Sequence, residues 1–297
     1  MEFRKPEMKD KELITSYLKK YPSRSCERTF ANILLWCVHY NVDFAEYKNT
    51  IIFRNAEAET SYALPVGADE DVKQVIQDLM DMAKADGKVF SLYEITLDNM
   101  EKLETWFPGM FQLELDRDSA DYIYEAEKLA TLSGKKLHGK RNHINKFKST
   151  FEGRWSYEPL SKDNQAECLQ MAAKWCKMNG CEEDQSKKSE LCVTKNSIRL
   201  FEELELIGGA LRVDGEIVAF TIGEAINDDT FVVHIEKAFS DVEGAYPMIN
   251  QQFVANELYG KYEYVNREED LGVEGLRKAK LSYKPAILLE KGLVTLK

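Results

Sequence analysis

Between residues 69 and 84, Val72, Val75, Ile76, Leu79 and Met82 recur every three or four positions, which predicts an amphipathic helix. Glu70 and Asp71 in its first turn, and Gly87 just past its end, suit the polarity of helix termini. Leu13, Tyr17, Leu18 and Tyr21, closed by Pro22, predict an earlier helix. Phe30, Ile33, Leu34, Cys37 and Val38 predict another over 27–40. Residues 50–53 and 61–66 read as short strands; 89–95 reads as a strand, 100–106 as a helix and 110–115 as a strand.

The second half repeats this order. Ala166, Leu169, Ala173 and Cys176 place a helix over 165–178, stopped by Asn179-Gly180, and a second helix is expected over 198–206. Strands follow at 209–213, 216–223 and 230–238, the first two joined by the hairpin dipeptide Asp214-Gly215. Next come a helix at 247–259, a strand at 262–266, a helix at 274–282 and a terminal strand from 286. Both halves thus read helix, helix, β-meander, helix, strand, helix, strand, with no repeat at the level of residues. The fold class is α/β with mixed sheets, and this order is that of a GNAT-type acyltransferase. The expected domains are 1–132 and 151–297, joined by a basic helix over 133–150. In such sheets ligands favour the crevice at the strand ends where the order changes.

The 297 residues carry a net charge of −11, which argues against general adhesion to nucleic acid or anionic membrane. No run approaches the roughly 18 apolar residues of a membrane span, and the charged N-terminal sequence contains no signal region. A cytoplasmic location is expected. The six cysteines form no CxxC pair and are read as reduced thiols, with no metal site.

Against that acidic background, residues 133–148 hold six Lys or Arg and no acid. Leu137, Ile144 and Phe147 form one helical stripe, leaving Lys135, Lys136, Lys140 and Arg141 as candidate polyanion contacts or as a solvated basic linker. A second polar block covers Asn266, Arg267, Glu268, Asp270, Arg277, Lys280, Tyr283 and Lys284. Arg277, Lys280 and Lys284, spaced by three and four, would line one helical face and could hold a phosphate or carboxylate; internal ion pairs explain the spacing equally well. His234 and Glu236 alternate with Val232 on a strand, so either could face the crevice as a general base. Walker, GxGxxG and GxSxG motifs are absent, and Asp241 and Glu243 precede the helix at Pro247, where CoA phosphates would need a Gly-rich anion loop.

The segments Leu132-Ser133-Gly134-Lys135-Lys136, with Lys140, Arg141, Asn142 and Asn145, resemble the phosphatidylglycerol lysyltransferase C-terminal-domain family. So do Val218 to Glu224, His234 to Ala238, and Asn266 to Asp270 with Arg277, Lys280 and Tyr283. The resemblance runs across nearly the whole chain and is nearer to the soluble bacterial members than to the membrane-bound lysyltransferases. It implies tandem GNAT-like domains similar to Fem-type aminoacyltransferases, and transfer of an aminoacyl group from charged tRNA. It also raises the basic helix and the Arg277 stripe to candidate tRNA and donor contacts. Aminoacyl-tRNA is then expected as donor in preference to acyl-CoA, with a small-molecule, peptide or cell-envelope acceptor. The alternatives are a non-catalytic ligand-binding or regulatory module and a CoA-dependent N-acetyltransferase.

Overall fold

The computed structural model describes residues 1–58 and 60–297. The chain forms two units, one of residues 1–121, 269–274 and 288–297, the other of residues 122–268 and 275–287. The division differs from the one expected at 132–151. The basic segment lies wholly inside the second unit, and two C-terminal stretches belong to the first.

In the first unit α1 (Lys11–Lys20) and α2 (Phe30–Trp36) precede the antiparallel strands β1 (Val42–Tyr47), β2 (Thr50–Asn55) and β3 (Ser61–Ala63). Then come α3 (Asp69–Ala85), β4 (Ser91–Thr96), α4 (Leu97–Trp106) and β5 (Phe111–Glu125), whose last residues enter the second unit. The α3 stripe buries Val72, Val75, Ile76, Leu79, Met80 and Ala83 against Leu92, Phe90 and Phe111; Met82, expected in the stripe, is exposed. β4 joins β3 in parallel, pairing Ser61, Tyr62 and Ala63 with Ser91, Leu92 and Tyr93.

The second unit opens with α5 (Ala126–Thr131) and α6 (His138–Thr150), then β6 (Trp155–Pro159), α7 (Gln165–Met178) and α8 (Gln185–Arg199). The meander β7 (Ile207–Val213), β8 (Glu216–Ala225) and β9 (Thr230–Ala238) is followed by α9 (Ala245–Phe253), β10 (Tyr264–Asn266) and α10 (Glu274–Leu281). The last strand, β11 (Ile287–Leu296), pairs antiparallel with β4 in the first unit. Both Asp214 (φ 53°) and Gly215 (φ 86°) take the left-handed turn expected of the β7–β8 hairpin. The second helix of this half lies at 185–199 rather than at 198–206, because the Asp184 side chain caps it at Ser186 and Lys187. Cys176 and Cys181, expected as free thiols, form a disulfide with Cα atoms 5.2 Å apart. Gly180, at φ 66°, turns the chain back after α7 and brings the two together.

Each unit therefore carries the GNAT-like order of an antiparallel meander, a helix and a strand added in parallel. Among the described residues no helix is long and apolar enough to cross a membrane.

Candidate functional site

The second unit's parallel strand is short. β10 pairs with β9 only across Tyr264↔Thr230, Val265↔Phe231 and Asn266↔Val232. β9 runs on to Ala238, while the chain after Asn266 follows β5 through the Arg267 N–H to the Tyr122 carbonyl (2.9 Å) and turns at Glu268 (φ 57°). The two strands fork there. In a mixed sheet such a fork, beyond the carboxyl ends of parallel strands, is the place for a ligand.

Arg267 projects into the fork. Its Nη2 donates to Glu236 Oε1 of β9 at 2.7 Å, and its guanidinium lies 4.9 Å from the Tyr283 ring centre and 5.7 Å from that of Tyr124. Glu236 Oε2 accepts from Asn250 Nδ2 of α9 at 3.1 Å. Two polar atoms of this buried set have no hydrogen-bond partner among the described residues: the Arg267 Nη1 donor and the Asn250 Oδ1 acceptor. Asn250 is 1% exposed. An open buried donor or acceptor costs roughly 1–3 kcal/mol, so a complementary ligand at this point gains from the pairing.

Lys140 reaches the same cluster from α6. Burial of Ile144 and Phe147 fixes that helix, and Lys140 lies one turn before Ile144 on the same face. Its Nζ sits 4.1 Å from the Tyr283 ring centre. Burial, then the nearby Arg267 charge, lower its pKa to about 8. The other expected cations of this segment do different work. Arg141 Nη1 donates to the carbonyls of Leu132 and, at 2.8 Å, Gly134, closing the turn before the helix. Lys135 and Lys136 are exposed.

His234 stands between two carboxylates, with Nδ1 2.7 Å from Glu268 Oε1 and Nε2 3.0 Å from Glu224 Oε1. Burial opposes its charge, but those hydrogen bonds outweigh it and raise its pKa to about 10. It is an imidazolium at neutral pH and has no lone pair to offer as a base. A β-bulge between Ile222 and Gly223 shifts the register beside it. His234 and Glu236, expected to share one face, hold separate sets of partners.

The C-terminal stripe divides likewise. Lys280 is 8% exposed, and its Nζ donates to the carbonyls of Arg267 (2.6 Å) and Glu268 (3.1 Å), bracing the chain that forms the fork. Arg277 is half-buried on α10, whereas Lys284 lies beyond that helix at φ 60° and leaves the stripe. Asn266 is buried and its Oδ1 accepts from the Glu268 N–H at 2.7 Å. Asp270 belongs to the first unit, where it faces Arg117 at 3.4 Å and accepts from the Gly272 N–H.

Sequence reasoning missed Asn250 and Tyr124, and a polar cluster in the first unit. Asn250 had a visible signal, as a polar residue beside Met248, Ile249 and Phe253 on an apolar helix face. In the first unit, buried Lys291 donates to Asp121 Oδ1 at 2.9 Å and to Glu27, and Asp121 also accepts from the Cys26 N–H at 2.9 Å. Cys26, Glu27 and Asp121 offer ligand atoms within 4.8 Å of one another, and the Lys291 ammonium supplies the counter-charge among them. Burial and the neighbouring Asp121 charge push the Cys26 thiol up, so it is no nucleophile, while burial and Glu27 push Glu94 up to about 8.

Known proteins place this architecture. A crystal structure of a conserved protein of unknown function from Bacteroides thetaiotaomicron is 40% identical, covers 99% of each chain and superposes with a TM-score of 0.92. L-PGS from Bacillus licheniformis is 16% identical, with 96% of this chain and 91% of that one covered and a TM-score of 0.63, a likeness of fold. An uncharacterised protein of Mycoplasmoides gallisepticum is 27% identical over 229 residues, 73% of this chain and 70% of its own length. Residues 18–294 match the family described as phosphatidylglycerol lysyltransferase, C-terminal, and the chain belongs to that family.

Proposed function

We propose that the chain is an aminoacyltransferase that takes its aminoacyl group from a charged tRNA in the cytoplasm and passes it to a small-molecule, peptide or cell-envelope acceptor. One observation carries this reading: the open acceptor Asn250 Oδ1 and the open donor Arg267 Nη1 stand together at the fork beside Glu236. An aminoacyl ester presents the complementary pair, an ammonium N–H and a carbonyl oxygen. Arg267 Nη1 would hold the carbonyl oxygen and stabilise the charge that develops on it during attack. Asn250 and Glu236 would hold the ammonium. A plain acyl group leaves Asn250 unmet.

The start of α9 argues in the same direction. A Cβ at Gly244 would come within 2.9 Å of the His143 carbonyl oxygen and 3.0 Å of Phe147 Cβ, so α6 backs directly onto that helix N-terminus. Lys146 pairs with Glu243 beside it. A CoA pyrophosphate would need this helix start for its backbone N–H groups, and the close approach of α6 with the Glu243 carboxylate beside it counts against that use.

The test is label transfer from a panel of aminoacyl-tRNAs and acyl-CoAs to candidate amines and peptides. Transfer from a charged tRNA is expected, and Asn250→Ala should lower kcat/KM by roughly 5–150-fold, the loss of one buried hydrogen bond. Transfer from acyl-CoA alone, or donor binding with no transfer to any acceptor, overturns the reading.

A further inference from the structure

We infer that Lys140 takes the proton from the attacking acceptor at the fork, an inference that rests on the aminoacyl-transfer reading above. The sequence grouped Lys140 with surface polyanion contacts, but its place in the structure is different. It is half-buried, its ammonium rests on the Tyr283 ring, and among the described residues it makes no ion pair and no hydrogen bond. Elsewhere in this unit the buried cations are engaged: Arg267 with Glu236, Lys237 with Glu190 and Lys280 with two carbonyls. Lys140 faces the fork with neither an ion pair nor a hydrogen bond of its own among the described residues.

The groups around it are Arg267 beyond β10, Glu236 on β9 and Tyr283 beyond α10, with Tyr124 of β5 packed against Tyr283. Arg267 is positive and opposes a second cation, whereas Glu236 favours one but is already paired with Arg267. The two tyrosines are held neutral by burial. A lysine desolvated beside another cation loses its proton near neutral pH, which makes it a base. The pKa of about 8 agrees with this geometry. The other candidates are already committed, His234 as an imidazolium and Glu236 to two hydrogen bonds.

The step balances without an external reagent. The acceptor's amine or hydroxyl bonds to the carbonyl carbon of the aminoacyl ester, and neutral Lys140 Nζ takes its proton. Collapse of the tetrahedral intermediate breaks the ester C–O bond, and the Lys140 ammonium returns the proton to the departing ribose oxygen.

Two measurements test this. Competitive labelling with acetic anhydride across pH, read residue by residue by mass spectrometry, should give Lys140 a midpoint near 8, with Lys135 and Lys136 labelling only at the ordinary lysine pKa of about 10.4. In the transfer assay, kcat/KM should rise through the same pH. Lys140→Ala should lower it roughly 100-fold or more, with partial rescue by added methylamine. Lys140→Arg, which keeps the charge but cannot act as a base, should not restore it. A midpoint above 10, full activity in Lys140→Ala, or full activity in Lys140→Arg overturns the assignment. A midpoint near 8 with no transfer from any charged tRNA instead overturns the aminoacyl-transfer reading and leaves Lys140 as a titrating amine.

Discussion

Glu224, His234 and Glu268 form a row in which one imidazolium neutralises two carboxylates, and its side chain is only 6% exposed. The folded pKa lies above the unfolded value, so the stabilisation is fully present below about pH 6.5 and is lost as pH rises through about 10. Over the range in which most enzymes are assayed this histidine does not titrate. Its imidazole should stay doubly protonated at pH 8 in NMR spectra, so activity should show no step near 6.5 from it, while its share of the stability should decline steadily between about pH 6.5 and 10. His234→Gln removes the buried cation and leaves two half-buried acids facing each other, which should cost about 1–3 kcal/mol in denaturant unfolding. A variant as stable as the parent would show that the row carries no net energy. Because Glu268 follows Arg267 directly, the row also fixes the peptide that aims the guanidinium at Glu236. The sequence showed that a His and several acids recur in this region. It could not show that they neutralise one another, because the bulge in β9 and the left-handed turn at Glu268 decide which side chains meet.

At the scale of elements, most of the order was legible. The α3 stripe, the β7–β8 hairpin and the meander followed from periodicity and turn chemistry, because those signals are local. β1 and β6 were missed, since Val42–Tyr47 and Trp155–Pro159 are half-buried and mix charged with apolar residues. β5 was read as far as Leu115 but runs to Glu125, through the charged stretch around Asp116, Arg117 and Asp118 that no hydrophobic pattern marks. The destination of the last strand was also beyond reach. β11 ends the second repeat yet pairs with β4, while the end of β5, closing the first repeat, pairs with β10. Pairing partners are set by tertiary packing, and local sequence does not encode them. Val294 of β11 is fully buried in the first unit's core with Leu92, Ile95 and Phe111. Val294→Asp places a charge there and should destabilise that unit by roughly 3–5 kcal/mol. In hydrogen exchange, β4 and α3 should lose protection while β7, β8 and β9 keep theirs. Loss confined to the meander would contradict the pairing.

For the whole molecule the question is how a chain of net charge −11 would receive a polyanionic donor. A broad electrostatic surface is not available, so contact has to be local, and the structure narrows which charges are free. Of the six cations in residues 133–148, Lys140 points into the fork, Arg141 clasps carbonyls, Lys146 pairs with Glu243 and Lys148 lies over Trp155. Lys135 and Lys136 remain exposed and, among the described residues, make no ion pair. Phosphate contacts release counterions, so the affinity for charged tRNA should fall with salt in proportion to the number of phosphates neutralised. Replacing both lysines by alanine should weaken binding and reduce the slope of log affinity against log salt by roughly 1.4–1.8, the value for two contacts. Because neither residue reaches the fork, the rate of transfer at saturating donor should be unchanged, and nitrocellulose-filter binding at several salt concentrations reads the difference. An unchanged slope would place the tRNA elsewhere. A loss of turnover at saturation would show instead that the turn before α6 helps to hold Lys140 and Arg267 in register, and so acts on the chemistry as well as on capture.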